Sequence, residues 1–394
     1  MPKKITGTGI LQVAIFIYVL FVEAHLLTSF NSYLGKYRLI ILISVIGLVV
    51  FKEIYKYTRA VKVYISDVVK FILAVVLVFI SYFAFKYTYG VLGMVSVLLM
   101  LSARDTDLKS VIKPFLYASG IIIIFMIIFS KLHIISSYTL WDTGRVRNSM
   151  GFLYPAYPAH ILFFWVSGYL YVRGKKVTSL EFIGLFLTNL YIYLQAYTKN
   201  PFTLTLVVIL IDIIIVSKKR TNFQLSKLYK AITNSLFLVL PTFTVWFVNY
   251  APMNILVYVN NLVNGRVLYA REGMLRYGVH LLGQNIHFIT RGSMNLFNTY
   301  DYVDSGYVQS LLQSGVLYTV IILALYTFLM VKVNRQGDLL LSLILVLIAV
   351  YNMFDPNFMF LWFNPFLLGC GVAFSEKAYV LNLKSNIVNV TPEK

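Results

Sequence analysis

The chain has a single cysteine, Cys370, in 394 residues. One thiol inside an apolar run excludes a disulfide or a cysteine-based metal site within one chain. Charge is scarce as well: 12% of the residues are charged, and 15 acids face 34 bases. With 59% hydrophobic residues and a mean hydropathy of +0.77, too little polar side chain remains to cover a soluble globule, and a polytopic membrane protein is expected. No repeat of solenoid length recurs. The first ten residues lack the pattern of a removed signal peptide, so Lys3 and Lys4 are expected to hold the first helix end in the cytosol.

What fills the chain is apolar helix. Runs able to cross about 30 Å of hydrocarbon occur near 9–30, 37–51, 67–85, 90–103, 112–133, 154–172, 178–196, 200–217, 232–250, 306–331, 338–354 and 357–375. The expectation is therefore an all-α fold in one membrane domain over 1–394, with about twelve spans. One large extracytoplasmic loop, 251–305, would carry a short helix. A net charge of +19 does not point to nucleic acid, because the bases sit in short connectors between apolar runs and follow the positive-inside bias. That bias places both termini in the cytoplasm, with 18 lysines and 5 arginines inside against 4 and 7 outside.

Arginine is thus concentrated on the side where insertion disfavours it, which marks a specific duty. Arg145 and Arg147 lie in the segment 134–153, and Arg266, Arg271, Arg276 and Arg291 lie in the large loop. A planar guanidinium fork suits oxyanions better than a lysine ammonium does. For Arg38, Arg145 and Arg291 the plain alternative, snorkelling to headgroups, is favoured. Arg147 opens RNSMGFLYPAYP, a turn punctuated by Gly and Pro, and Arg266 follows Asn-Gly at the start of a helix-like stretch, 264–281, with Gly283 as its expected stop. At 100° per residue Arg266, Tyr269, Gly273, Arg276, Tyr277 and His280 share a face, and Arg271 points away.

Four segments, RNSMGFLYP at 147–155, YTKNPF at 197–202, NGRVLYAREGMLRYGVHLLGQNI at 264–286 and YVDSGYVQSLLQSGVL at 302–317, together resemble the Wzy-type polymerases. That family joins lipid-linked repeat units of bacterial exopolysaccharide and capsule and is related to the O-antigen ligases. The resemblance covers most of the chain from Lys131 onward. It implies a metal-independent, inverting glycosyltransferase without cofactor, in the bacterial cytoplasmic membrane. Donor and acceptor would be undecaprenyl-diphosphate-linked glycans, with a chain-length regulator and a flippase as partners. Arg266 and Arg147 would clamp the diphosphate, with Arg276 and Lys199 assisting; Lys199 stands where many relatives have arginine, so the bidentate fork is lost there. Relatives place a histidine before the span after the large loop, where this chain has Asp304. Asp304 is the first choice of base and His287 the second, although Asp304 could equally cap the following helix. Alternatives are a flippase or exporter of lipid-linked oligosaccharide and a ligase-like transferase.

Other polar residues are expected to matter less. Asp105 and Asp107 form a DxD that reads as a solvated charge cluster beside Arg104 and Lys109, and His280 reads as loop packing. Glu23 and His25 would line the first span; Asp212 and Glu181 would meet water or lysines near inner helix ends. His133, His160 and Asp355 fall toward the outer side without an assigned role.

Overall fold

The computed structural model describes residues 6–57, 65–142, 144–218, 225–290 and 300–374. Arg291, the first five residues with Lys3 and Lys4, and the tail from 375 fall outside them. The chain is helical, with α1 (Gly7–Leu27), the short α2 (Asn31–Leu34), α3 (Arg38–Tyr57), α4 (Ile65–Phe85), α5 (Val91–Ser102) and α6 (Leu108–Lys131). An antiparallel hairpin follows, β1 (Thr139–Asp142) and β2 (Arg145–Asn148), and then α7 (Tyr157–Arg173), α8 (Ser179–Ala196), α9 (Lys199–Ser217) and α10 (Lys227–Tyr250). Two short helices, α11 (Met253–Leu262) and α12 (Arg266–Tyr277), precede α13 (Gly306–Gln313), α14 (Gly315–Gln336), α15 (Leu339–Tyr351) and α16 (Leu367–Val372). Among the described residues seven helices are long and apolar enough to cross a membrane, as in a multi-pass helical membrane protein.

The helix starts are written locally. Asp107 caps α6 by accepting the Ser110 N–H, and Asp338 does the same for Leu341 at α15. Thr178 and Glu181 form a reciprocal capping box at α8, which satisfies two amides that would otherwise lack partners. Packing then follows apolar surface: α1 lies between α3 and α6, α6 meets α7, and α7 meets α8 and α9. Helix α9 continues to α15, while α10 packs on α14 and α15, and α16 closes against α5.

Two expected spans differ. The run 306–331 is broken at Ser314–Gly315, where Gly315 takes φ 83° and its α-carbon lies against the backbone of Leu281 and Leu282; a β-carbon there would come within 2.5 Å of the Leu282 carbonyl carbon. The run 357–375 is helical only over α16. Pro356 and Pro365 each lack an amide to continue a helix, and residues 352–366 instead fold as turns through the core, with Phe358, Leu361, Trp362 and Phe366 buried. Non-helical backbone at such depth needs internal partners. Asn364 supplies several: its side chain accepts the Phe366 N–H and donates to the Phe358 carbonyl and the Tyr326 hydroxyl. Gly371 permits the close approach of α16 to α5, since a β-carbon would sit 1.7 Å from the Met100 carbonyl oxygen.

The large loop also departs from expectation. Its helix is α12 alone, starting after Asn264 (φ 56°) and Gly265 (φ 88°) and ending at Gly278 (φ 65°), and α11 is an additional helix. Gly283 is not a helix stop. It lets the chain thread between the Ala84 and Gln313 carbonyls, which a β-carbon would meet at 2.5 and 2.8 Å.

Candidate functional site

Three helices begin around one buried carboxylate, Asp355, in the turn after α15. Each offers it a residue from its first turn. Asn200 of α9 hydrogen-bonds to Asp355 Oδ2, Arg266 at the start of α12 places Nη1 3.8 Å from the same oxygen, and His160 of α7 places Nε2 3.7 Å from Oδ1. The N-terminal ends of α7, α9 and α12 add their partial positive charge to this place. His160 is fixed from its other side, where Nδ1 lies 2.8 Å from the Tyr351 hydroxyl, which also accepts from Asn357.

Arg266 is anchored by donating to the Phe354 carbonyl at 2.7 Å. Burial works against its charge, but Asp355 first and then Asp304, Tyr300 and Tyr154 outweigh it and hold the guanidinium pKa above its ordinary value. For Asp355 burial dominates and pushes the carboxyl up to about 6, against the opposing pull of Arg266, Asn200 and Arg147. The second arginine therefore belongs to the same field.

Arg147 reaches that field from β2. It is 6% exposed, and it donates through Nε to the Ala196 carbonyl at 2.8 Å, through Nη2 to Thr198 at 3.2 Å and through Nη1 to Tyr154 at 3.3 Å, with the Tyr154 ring beneath it at 5.3 Å. These three anchors are neutral, and together they fix the plane of the guanidinium. The turn that follows is tied to the end of α1 by Leu153 N–H to Leu27 O at 2.9 Å and Ser29 N–H to Gly151 O at 3.3 Å. Gly151, at φ 83°, packs so close to Ile135 that a β-carbon would lie 2.5 Å from it.

The remaining candidates divide. Asp304 is half-buried just before α13, accepts from the Tyr300 hydroxyl at 3.4 Å and acts on Arg266. It is not the helix cap, a place that Ser305 takes without a side-chain bond. Lys199 is exposed at the start of α9, next to Asn200. Arg276 is ten residues along α12 from Arg266, about 15 Å at 1.5 Å per residue. There it pairs with Asp301 at 2.8 Å, beside the Tyr277 hydroxyl, with its side chain 54% exposed. Arg271 is half-buried. His287 and His280 are exposed. Arg38, expected to snorkel, donates to the Tyr89 carbonyl at 3.3 Å.

Asp355, His160 and Asn200 carried no weight in the sequence. The usable signal was an acid and two prolines between apolar runs, in FDPNFMFLWFNP over 354–365. The DxD acids are structural: Asp105 pairs with Lys56 and Asp107 caps α6. Glu23 is fully buried and accepts a hydrogen bond from Ser119, and Asp212 is 1% exposed in α9. Among the described residues no three His, Cys, Asp or Glu side chains gather as a metal ion would require.

No protein-family model, no curated protein and no solved structure matches the chain.

Proposed function

We propose that the protein is a membrane glycosyltransferase of the Wzy type, which moves a growing glycan from its undecaprenyl diphosphate to a hydroxyl of an incoming lipid-linked repeat unit. The observation that carries this reading is the convergence of Arg147 and Arg266, from segments far apart in sequence, on the surroundings of one buried carboxylate. In the proposed topology the chain has twelve spans, both termini are cytoplasmic, and the end of the bundle bearing Asp355 and the hairpin opens outward. The membrane is that of a bacterial cell.

The acceptor oxygen bonds to the anomeric carbon as the bond from that carbon to the diphosphate oxygen breaks. The electron pair stays on the diphosphate, and the hydroxyl proton passes to a carboxylate. Charge therefore builds on the leaving group, where guanidinium groups already held by Ala196, Thr198, Tyr154 and Phe354 need no reorganisation to meet it. A well-placed donor of this kind lowers a barrier by about 3 kcal/mol. Asp355 keeps the cationic cluster together before the donor arrives. Asp304 is the proton acceptor in this scheme, as it lies in the field of Arg266, and exposed His287 is the second choice. Lys199 stands at the rim, and Arg276, paired with Asp301, supports the loop.

Arg266→Ala is the test. In a host whose polymer depends on this chain, the variant should yield no polymer and accumulate lipid-linked single repeats. Normal polymer from a stably expressed Arg266→Ala protein would remove the residue from the reaction.

A further inference from the structure

A cavity of about 750 Å³ lies beside the hairpin, between the ends of α6 and α8. Its size falls within the roughly 300–1,000 Å³ of small-ligand sites. Its walls are mixed. Ser130, Ser136, Ser137, Thr139, Asn148 and Gln195 offer hydroxyls and amides, His133 an imidazole and Tyr191 a ring, beside the apolar Ile127, Ile135 and Met150, and among the described residues no carboxylate lines it. Lys131 lies over that ring at 4.7 Å and is thereby held at the cavity edge. The Asn148 side chain accepts from Ser137 at 2.7 Å and from the Met150 N–H at 2.8 Å; both bonds fall on the amide oxygen and leave the nitrogen as a donor.

The hairpin acts as a partition between this cavity and the arginine site. Successive strand residues point to opposite faces, and directly opposed residues share one. Thr139 and Asn148 are opposed and line the cavity, whereas Arg147, opposed to Leu140, bonds to Ala196 and Thr198. The end of α8 touches both sides, with Gln195 on the cavity and the Ala196 carbonyl on Arg147. A chain anchored by its diphosphate at Arg147 need only pass the hairpin edge to enter a space lined with hydroxyls, amides and an aromatic ring. Such a mixed lining matches the polar rims and apolar ring faces of sugars.

We propose that this cavity is a glycan-binding site that holds the sugar segment of the growing chain next to the diphosphate, so that the chain stays bound between additions. The proposal rests on the polymerase reading and concerns chain length, which the arginine site does not set alone. The cationic edge at Lys131 also admits sugars that carry a carboxylate or phosphate.

The test uses full-length protein in a host lacking its own copy. Ser136→Trp fills the cavity from an exposed position, and Gln195→Ala removes a donor from its wall without adding bulk. Both should still consume lipid-linked repeats, yet the modal polymer length should fall roughly fivefold, the factor given by losing one or two hydrogen-bonding contacts. Repeat-unit oligosaccharide released from the lipid by mild acid should show saturation transfer from the wild-type protein in nanodiscs and lose it with Ser136→Trp. Wild-type polymer length from both variants overturns the cavity's role, and so does complete loss of polymer from both stably expressed proteins. If the host makes the same polymer without this chain, or with Arg266→Ala in its place, the polymerase reading itself fails.

Discussion

Two groups of cations at opposite ends of the helical bundle are held in different ways. At the end where α3 and α5 meet, cations are matched closely to carboxylates: Arg104 to Glu53 at 2.8 Å, Lys52 to Glu53 at 2.9 Å and Lys56 to Asp105 at 2.5 Å. At the hairpin end Arg147 is held by a carbonyl and two hydroxyls and Arg266 by a carbonyl, while the shared carboxylate Asp355 stands 3.8 Å from Arg266. Close ion pairing fixes a connector and uses up the charge of both partners. Neutral anchors fix the plane of a guanidinium before any anion arrives. On the proposed reading, this contrast separates structural cations from those of the site better than residue type alone does.

Exchanging residues at either end should sharpen this contrast. The largest effect is expected for Arg147→Lys, which keeps the charge but cannot reach the Ala196 carbonyl, Thr198 and Tyr154 at once. Polymer formation should fall by about 10²-fold or more, as for loss of one preorganised donor, with the folded yield little changed. A measured turnover within twofold of wild type would show that position, not the fork, is sufficient.

Asp355→Asn should act on stability in an unusual direction. The folded carboxyl titrates at about 6, above the ordinary value near 3.9, so its protonated form is favoured by folding. The resulting stability is fully present below the unfolded pKa and is lost as pH rises through about 6. The Asn variant mimics the protonated form. It should be more stable than wild type at pH 7, by on the order of 3 kcal/mol, and should show a flatter profile between about pH 4 and 6. Thermal unfolding in detergent across that range checks it; a variant less stable than wild type at pH 7 would mean that the attraction of Arg266 for the carboxylate outweighs the cost of its burial.

The smallest effect is expected at the opposite end. Arg104→Ala breaks a half-buried charged hydrogen bond to Glu53 and should cost about 1.5 kcal/mol while leaving polymer per folded molecule unchanged. A selective loss of polymerisation there would erase the distinction between the ends.

Much of the helical plan was legible because apolar runs of bilayer length announce themselves: α1, α6, α9 and α10 lie where hydropathy puts them. The hairpin was not, since strands of four residues leave no periodic signal long enough to read. The segment 352–366 misled because an apolar run reads as a span until Pro356, Pro365 and Asn364 are seen to turn it inward and satisfy its backbone. In the candidate site Arg147 and Arg266 stood out through their residue type and turn context. Asp355 did not, because Asn200, His160 and Arg266 come from three distant segments and no spacing along the chain joins them. Arg276 was grouped with Arg266 by helical phase, yet phase ignores the ten residues of rise that separate them and the Asp301 carboxylate that holds Arg276 where it is.

The most direct measurement is a double-mutant cycle on the binding of undecaprenyl diphosphate to purified protein in nanodiscs, with Arg147→Ala, Arg266→Ala and the pair. If both guanidinium groups grip one diphosphate, each single change weakens binding by tenfold or more, and the double change costs clearly less than the product of the two, about 1 kcal/mol of coupling or more. Full additivity, or undiminished binding by either single variant, would contradict a shared anion site and with it the account given for this end of the molecule.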